Sequence, residues 1–472
     1  MLRGAFLLGI SQAVLVLTGF ILNIYLGRTL GPELYGIFGV MNTFIVINEF
    51  LLMRGIYDAI SKLVAEKEES TNAIINSVFK GVTIGSFAVG FMYFFFAGQI
   101  AAILNDDELT GYVKLFALII PITAMSTVFI GALNGLRKFG RQALISIAFN
   151  TVRMCAVIIF VVLGFSVKGA IIGLIISDIF RLAMARGLYK PVGTDRALDR
   201  KRIFRFIFEL MVTSIFSALI SNIDLMGVKA LLKENLETGL YTSAVNISKI
   251  PQFLILPISL AVMPVLSKSI SEKNREITQK YVIQSLRLLL IIVLPISVAI
   301  IATGDKCISL LYGDRYIQAS GPLKILLLGA IFLSIKVVMF SVIVADGKPR
   351  YIILTGLLSL LLEIILLVTL TNWLGLMGAA TASAGTHFLG FVMSYWYVAR
   401  KFMMRKAWMS FIRVAGASVV IYMIAAIYSP TGIVLVLYYG LLLLVYVFIL
   451  MVFREINLLD LIRKSRIGIE SL

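Results

Sequence analysis

The sequence predicts an all-α integral membrane protein of about fourteen transmembrane helices: two six-helix lobes related by a pseudo-two-fold axis along the membrane normal, plus two C-terminal helices. Three observations predict it. The 472 residues are 60% hydrophobic and 14% charged, with mean hydropathy +0.99, whereas ordinary soluble chains are roughly 45–50% apolar and 25% charged. Apolar stretches near the ~20 residues needed to cross a bilayer recur along the chain, split by short polar interruptions. Turn motifs of the first half return in the second at offsets of 203 to 210 residues.

The first six spans are expected over 5–26, 35–56, 80–103, 113–135, 143–164 and 168–186. The apolar N-terminal stretch is too long for a signal peptide and has no small-residue cleavage pattern, so it reads as a retained span. A basic stretch leads to spans at 206–228, 240–264, 285–302, 323–344, 352–371 and 377–399, then 411–428 and 432–452 before a short charged tail. The expected domains are therefore an N-terminal lobe over 1–200, a C-terminal lobe over 201–405, and the extra helix pair with its tail over 406–472. Loop charge tests the map independently. With alternating helices, 32 of the 43 basic residues fall on the side of the N-terminus and 8 on the other, which places both termini in the cytoplasm of a cell membrane. This distribution also accounts for the net charge of +18 without nucleic acid. No loop exceeds a couple of dozen residues, so no folded extramembrane domain fits.

The repeat is carried by order. Leu34-Tyr35-Gly36 opens the second span and Thr238-Gly239-Leu240-Tyr241 the eighth; Gly135-Leu136-Arg137-Lys138 precedes span five and Ala345-Asp346-Gly347-Lys348 span eleven; Gly169-Ala170 and Gly378-Ala379 open spans six and twelve. Six spans per half give both halves the same orientation, a geometry in which transporters place substrate between the halves.

Ionisable groups inside spans are costly and call for a partner or a watery cavity. Span two holds Asn42, Glu49 and Arg54, span seven Asn222 and Asp224, and span eight Asn246 and Lys249. Lys336 with Glu363, and Arg153 with Asp178, stand at depths that suit structural ion pairs between neighbouring helices. Lys249 precedes Pro251, which frees a carbonyl and breaks a helix, a pattern suited to a cavity-facing cation. The acidic run Asn105-Asp106-Asp107-Glu108 reads as solvated surface. No phosphate-binding Gly-Lys-Ser/Thr motif is present, two distant cysteines and one histidine offer no metal centre, and no external catalytic loop exists, so neither an enzyme nor a cofactor is expected.

Tyr25-Leu-Gly-Arg28-Thr-Leu-Gly31-Pro32-Glu33-Leu-Tyr35-Gly36 resembles the segment after the first span of polysaccharide biosynthesis exporters, the oligosaccharide flippases of the multidrug/oligosaccharidyl-lipid/polysaccharide (MOP) exporter superfamily. Ser221-Asn-Ile-Asp224, Lys249-Ile-Pro251-Gln252 with Pro257 and Pro264, and Asp346-Gly347-Lys348-Pro349-Arg350 are similar to later segments of the same family. The resemblance implies the MOP exporter fold and a flippase that moves a polyprenyl-(pyro)phosphate-linked oligosaccharide outward by alternating access. Spans 1, 2, 7 and 8 would line the cavity. By position it implies Lys249 and Arg54 at the phosphates, Asn23, Asn42, Glu49, Asn222, Asp224 and Asn246 as polar contacts, and Arg28 at an outer gate. It further implies membrane lipids, a coupling proton or sodium ion carried by Glu49 or Asp224, and other polysaccharide-assembly membrane proteins as partners. A multidrug and toxin extrusion exporter and a peptidoglycan-precursor (lipid II) flippase are the alternatives.

Overall fold

The computed structural model describes residues 2–191, 203–205, 207–208, 211, 222–254, 265–272, 274–402, 408–453 and 455. Most of expected span seven, the end of span eight with Pro257 and Pro264, Ser221, and the tail beyond Glu455 lie outside the described residues. Every regular element among the described residues is helical, and ten segments are long and apolar enough to cross a membrane. The chain forms two compact units, Met1–Thr242 and Ser243–Leu472.

In the first unit α1 runs Leu2–Asn48 and passes through a π-helical segment, Glu49–Arg54, into α2, Gly55–Glu66. Then follow α3 (Thr71–Phe95), α4 (Ala97–Ile103), α5 (Leu109–Ala117), α6 (Ile119–Gly135), α7 (Phe139–Phe160) and α8 (Ser166–Leu188). Next come α9 (Ile223–Leu232) and α10 (Asn235–Ser248), whose last turns pass into the second unit. Two apolar segments are double length, Phe6–Asn48 and Phe139–Leu188. At about 1.5 Å per residue each far exceeds the ~30 Å hydrocarbon core. Each breaks where the sequence places a loop: at Gly31 (φ 75, ψ 169), followed by Pro32, and at Gly164 (φ 87).

Small residues let the helices of this unit approach closely. Gly131 and Gly135, four apart on α6, lie against the Tyr57 and Ser61 carbonyls of α2, where an added Cβ would sit 3.1 and 2.7 Å from those oxygens. Gly173 of α8 lies equally close to Val157 of α7. Phe44, Tyr93 and Phe116 stack edge-on or tilted between α1, α3 and α5. The opposite faces carry Phe91, Ile103 and Val162, all more than 60% exposed, as lipid-facing residues should be.

The second unit contains α11 (Arg275–Ala302), α12 (Gly304–Tyr312), α13 (Ser320–Ala345), α14 (Pro349–Leu374), α15 (Leu376–Phe402), α16 (Trp408–Ile427) and α17 (Val434–Val452). The Asn274 side chain caps α11 by accepting from Ile277 N at 3.1 Å. Leu286, Leu289 and Val293 of α11 bury with Val338, Met339 and Val342 of α13 and Val398 of α15. The last two helices pack on α11, and Glu455 ties them down by binding Arg287 at 2.7 Å and Arg413 at 3.1 Å. Cys155 and Cys307 are both free thiols.

Two pairs of turns share backbone conformation at offsets of 209 and 210 residues. Arg137 (φ 55) and Gly347 (φ 73), 210 residues apart, each close a helix in the left-handed region. In the first turn Arg137 N and Lys138 N donate to Asn134 and Leu133, and in the second Gly347 N and Lys348 N donate to Val344 and Ile343. Ser166 (φ 52, ψ −136) and Gly375 (φ 58, ψ −134) match at offset 209. An L-residue is strained there and glycine is not. Ser166→Gly is therefore expected to stabilise the protein by about 1 kcal/mol, read as a raised midpoint in thermal unfolding.

A third correspondence is a contact. Gly36 of α1 faces Gly239 of α10; a Cβ on Gly36 would lie 2.1 Å from the Asn235 carbonyl oxygen, and one on Gly239 would lie 1.8 Å from that of Pro32. Both pairs, 36 with 239 and 32 with 235, are separated by 203, and Gly39 meets Thr242 at the same offset. Residues 203 apart thus touch each other reciprocally.

Candidate substrate-binding site

The π-helical segment Glu49–Arg54 inserts an extra residue into the turn and re-aims the side chains around it. Glu49, Phe50, Met53 and Arg54 from that segment, Tyr57 from α2, Thr127 and Ile130 from α6, and Arg181 from α8 line a cavity of about 310 Å3. Arg54 is exposed and stands over the Phe50 ring, 5.6 Å from its centroid. Arg181 is buried and stacks on Phe149 at 4.4 Å. Tyr57 is fixed by accepting from Gln142 Nε2 at 2.8 Å. Below the cavity, Asp178 pairs with Arg181 one turn away and accepts from Thr123 Oγ1 at 3.1 Å. Glu49 feels the charges of Arg153, Arg181 and Asp178. At the cavity's rim, outside the membrane-capable segments, burial raises the Asp58 carboxyl above its ordinary value and Arg54 opposes the shift.

The expected Arg153–Asp178 pair is corrected: Arg181, three residues along the same helix, is the direct partner, because an i,i+3 neighbour reaches the carboxylate without crossing between helices. Arg153 Nε is buried with no hydrogen-bond partner, its charge acting on Glu49 and Asp178 from a distance. The guanidiniums of Arg54 and Arg181, on two helices, thus face one cavity whose wall also holds the Glu49 carboxylate. A planar guanidinium suits phosphate oxygens.

The other expected site residues fall in several places. Asn23 accepts from Tyr35 OH at 3.1 Å and donates back to Gly19 O. Asp224 accepts from Tyr241 OH at 3.0 Å and from Leu225 N at 2.8 Å. Asn222, buried, precedes α9; Asn42, half-buried, lies seven residues before Glu49; Arg28 is exposed just before the Gly31 break. Asn246 and Lys249 belong to the second unit, both half-buried. The helix break expected at Pro251 is present: α10 ends at Ser248 and the chain continues as a 3-10 turn, Pro251–Leu254, with Gln252 N donating to Lys249 O.

The acidic loop is a second correction. Asp106 is not solvated: its side chain is 8% exposed and binds Lys229 Nζ at 2.7 Å, while Lys229 is fully buried and reaches Asn235 Oδ1 at 2.5 Å. Asn105 Nδ2 donates to Ala230 O at 3.2 Å. This clasp joins the loop before α5 to α9 and α10. Sequence reasoning missed it because its partners lie 123 residues apart; an unusually polar Lys229 within an apolar run was the available signal.

A family model described as polysaccharide biosynthesis protein matches residues 25–321. The chain belongs to that family. Within it lie the π segment, the arginine-lined cavity and the clasp. A Shigella flexneri protein described as a putative O-antigen transporter is 24% identical over 397 residues, covering 80% of this chain and 92% of the relative. Among solved structures, the lipid II flippase MurJ in an inward closed conformation superposes with TM-score 0.72 at 16% identity, over 98% of this chain and 100% of MurJ. An inward-facing multidrug-resistance MATE transporter of the MOP superfamily also reaches 0.72, at 15% identity, over 85% of this chain and 98% of its own. These similarities establish the fold of a family member that resides in a membrane.

Proposed function

We propose that the protein is a flippase that carries a polyprenyl-(pyro)phosphate-linked oligosaccharide from the cytoplasmic to the outer leaflet of the cell membrane by alternating access, for cell-surface polysaccharide synthesis. The observation that carries this reading is the Arg54–Arg181 cavity at the π segment of a polysaccharide biosynthesis family chain. Two cations on separate helices suit a bridging phosphate or pyrophosphate; in the second unit Lys249, expected at the phosphates, stands beside its helix break. The names of the relatives point to the same substrate class.

Fourteen spans in two six-helix lobes and an extra pair follow if each double-length segment counts as two and if spans seven and eight pass through the incompletely described stretch. The reciprocal Gly36–Gly239 contact and the matched turns at offsets 203 to 210 support the pseudo-two-fold relation. With both termini cytoplasmic, an anion leaving a negative-inside cell moves downhill by about 2.3 kcal/mol per charge per 100 mV. Glu49 or Asp224 would carry a coupling proton or sodium ion. Substrate moves without chemical change, and other polysaccharide-assembly membrane proteins supply and receive it.

The test is flipping of a fluorescent polyprenyl-pyrophosphate oligosaccharide in proteoliposomes. Wild type is expected to flip it, and Arg54→Ala and Lys249→Ala to slow flipping at least about tenfold, equivalent to 1.4 kcal/mol. Wild type that leaves this lipid in place while expelling small organic cations would make the protein a drug exporter, for which Glu49 in the cavity wall would be the binding group.

A further inference from the structure

A separate set of ionisable groups lies inside the second unit, and it includes the Lys336 and Glu363 expected to pair. Lys336 on α13 and Glu363 on α14 are buried, at 7% and 0% exposure. Glu363 acts electrostatically on Lys336, and Lys336 acts on His387 of α15. The aliphatic arm of Lys336 passes over Gly390, one turn beyond His387: a Cβ there would sit 2.7 Å from Lys336 Cδ and 3.5 Å from both Lys336 Nζ and Ser359 Oγ. Gly390 is therefore what admits the lysine between α13 and α15. His387 Nδ1 is buried with no hydrogen-bond partner. Counted from the neighbouring helix ends at Ala345, Pro349 and Phe402, the three groups lie roughly 14, 21 and 23 Å along helices that cross a core of ~30 Å.

We propose that Lys336, Glu363 and His387 form a proton-carrying site in the second unit, with His387 Nδ1 as the atom that takes up and releases the proton. One carboxylate in a low-dielectric interior balances one cation. Lys336 fills that place while the imidazole is neutral. A proton arriving from water forms an N–H bond at Nδ1 as an O–H bond of hydronium breaks; the site then holds two cations against Glu363, and this imbalance favours release to the opposite side. No electrons change hands. A lysine–glutamate pair that only held helices together would need neither a histidine at its third corner nor a buried ring nitrogen left without a partner.

Among the described residues, α13, α14 and α15 carry no other ionisable group near mid-helix. Ser359 of α14 lies beside Gly390. Lys324, Arg350, Tyr351, Tyr395, Tyr397, Arg400 and Lys401 fall toward the ends of α13, α14 and α15, and α11, which also packs on α13, carries no ionisable residue between Arg287 and Ala302. The proposal rests on the transport reading for its kinetic arm alone.

The chain has one histidine, so protein labelled with 15N-imidazole, purified without a histidine tag and returned to vesicles, gives one pair of NMR signals. These are expected to move with pH, their midpoint rising in Lys336→Met, where a like charge is gone, and falling in Glu363→Gln, where the opposite charge is gone. In vesicles flipping the lipid-linked sugar, an imposed pH gradient is expected to change the wild-type rate several-fold and to leave His387→Asn unresponsive. His387 signals that stay neutral at every pH at which wild type remains folded, or a gradient response as large in His387→Asn as in wild type, overturn the proposal. If wild type flips no such lipid, the transport reading falls and the titration alone decides the site.

Discussion

Lys229→Met is expected to lower the stability of the first unit by about 3 kcal/mol, because it strands a carboxylate that is 8% exposed opposite an apolar side chain. Asp106→Asn alone is expected to be costly for the converse reason. The informative variant is the pair. Lys229→Met with Asp106→Asn removes both charges, so it should recover more than half of the single-variant loss, and a double-mutant cycle in thermal unfolding reads the coupling directly. Strictly additive losses would mean that the two groups do not form an ion pair in the membrane-embedded protein. Asn105 would still hold the loop to α9 through the Ala230 carbonyl in the double variant. On the two-lobe reading α9 and α10 open the second repeat, so the clasp ties that repeat to a loop of the first. Its loss should then speed or slow flipping as well as lower stability.

Gly239→Ala is the second large effect. The new methyl would stand 1.8 Å from the Pro32 carbonyl oxygen, a backbone atom that no rotamer change can move aside. Overpacking in cores costs about 1–3 kcal/mol where side chains can adjust, and here two helices must separate. The expected result is loss of most monodisperse protein and of flipping. Gly36→Ala, with its methyl 2.1 Å from the Asn235 oxygen, should do the same because it fills the equivalent gap. Gly85→Ala is the control: open space surrounds it on α3, and helix propensity favours alanine there by about 0.8–1 kcal/mol. Gly239→Ala protein as stable as wild type would show that α1 and α10 do not cross at these glycines.

The long apolar helices were legible because each needs only a local count of apolar residues, and a ~20-residue apolar run in lipid satisfies its own backbone only as a helix. The loops at Gly31 and Gly164 could be placed for the same reason, although α1 and the run from Phe139 to Leu188 are continuous apolar segments. Matched turns at Arg137 and Gly347 were visible as repeated motifs, since closing a helix in the left-handed region is a short-range property. Arg54 and Glu49 could be singled out as costly groups within a span. Their common cavity could not, because it depends on a π-helical turn and on Arg181 arriving from another helix.

Composition, span length and loop charge therefore determined by themselves that this chain lives in a membrane as a helical bundle, since transfer from water to lipid is a sum over local residues. The tertiary structure alone decided which charges meet. Asp178 chose Arg181 over Arg153, Asp106 left the solvent for Lys229, and Gly36 found Gly239. Each of those choices is settled by distance between side chains, and in a low-dielectric interior a few ångströms separate a partner that offsets the cost of burial from one that does not.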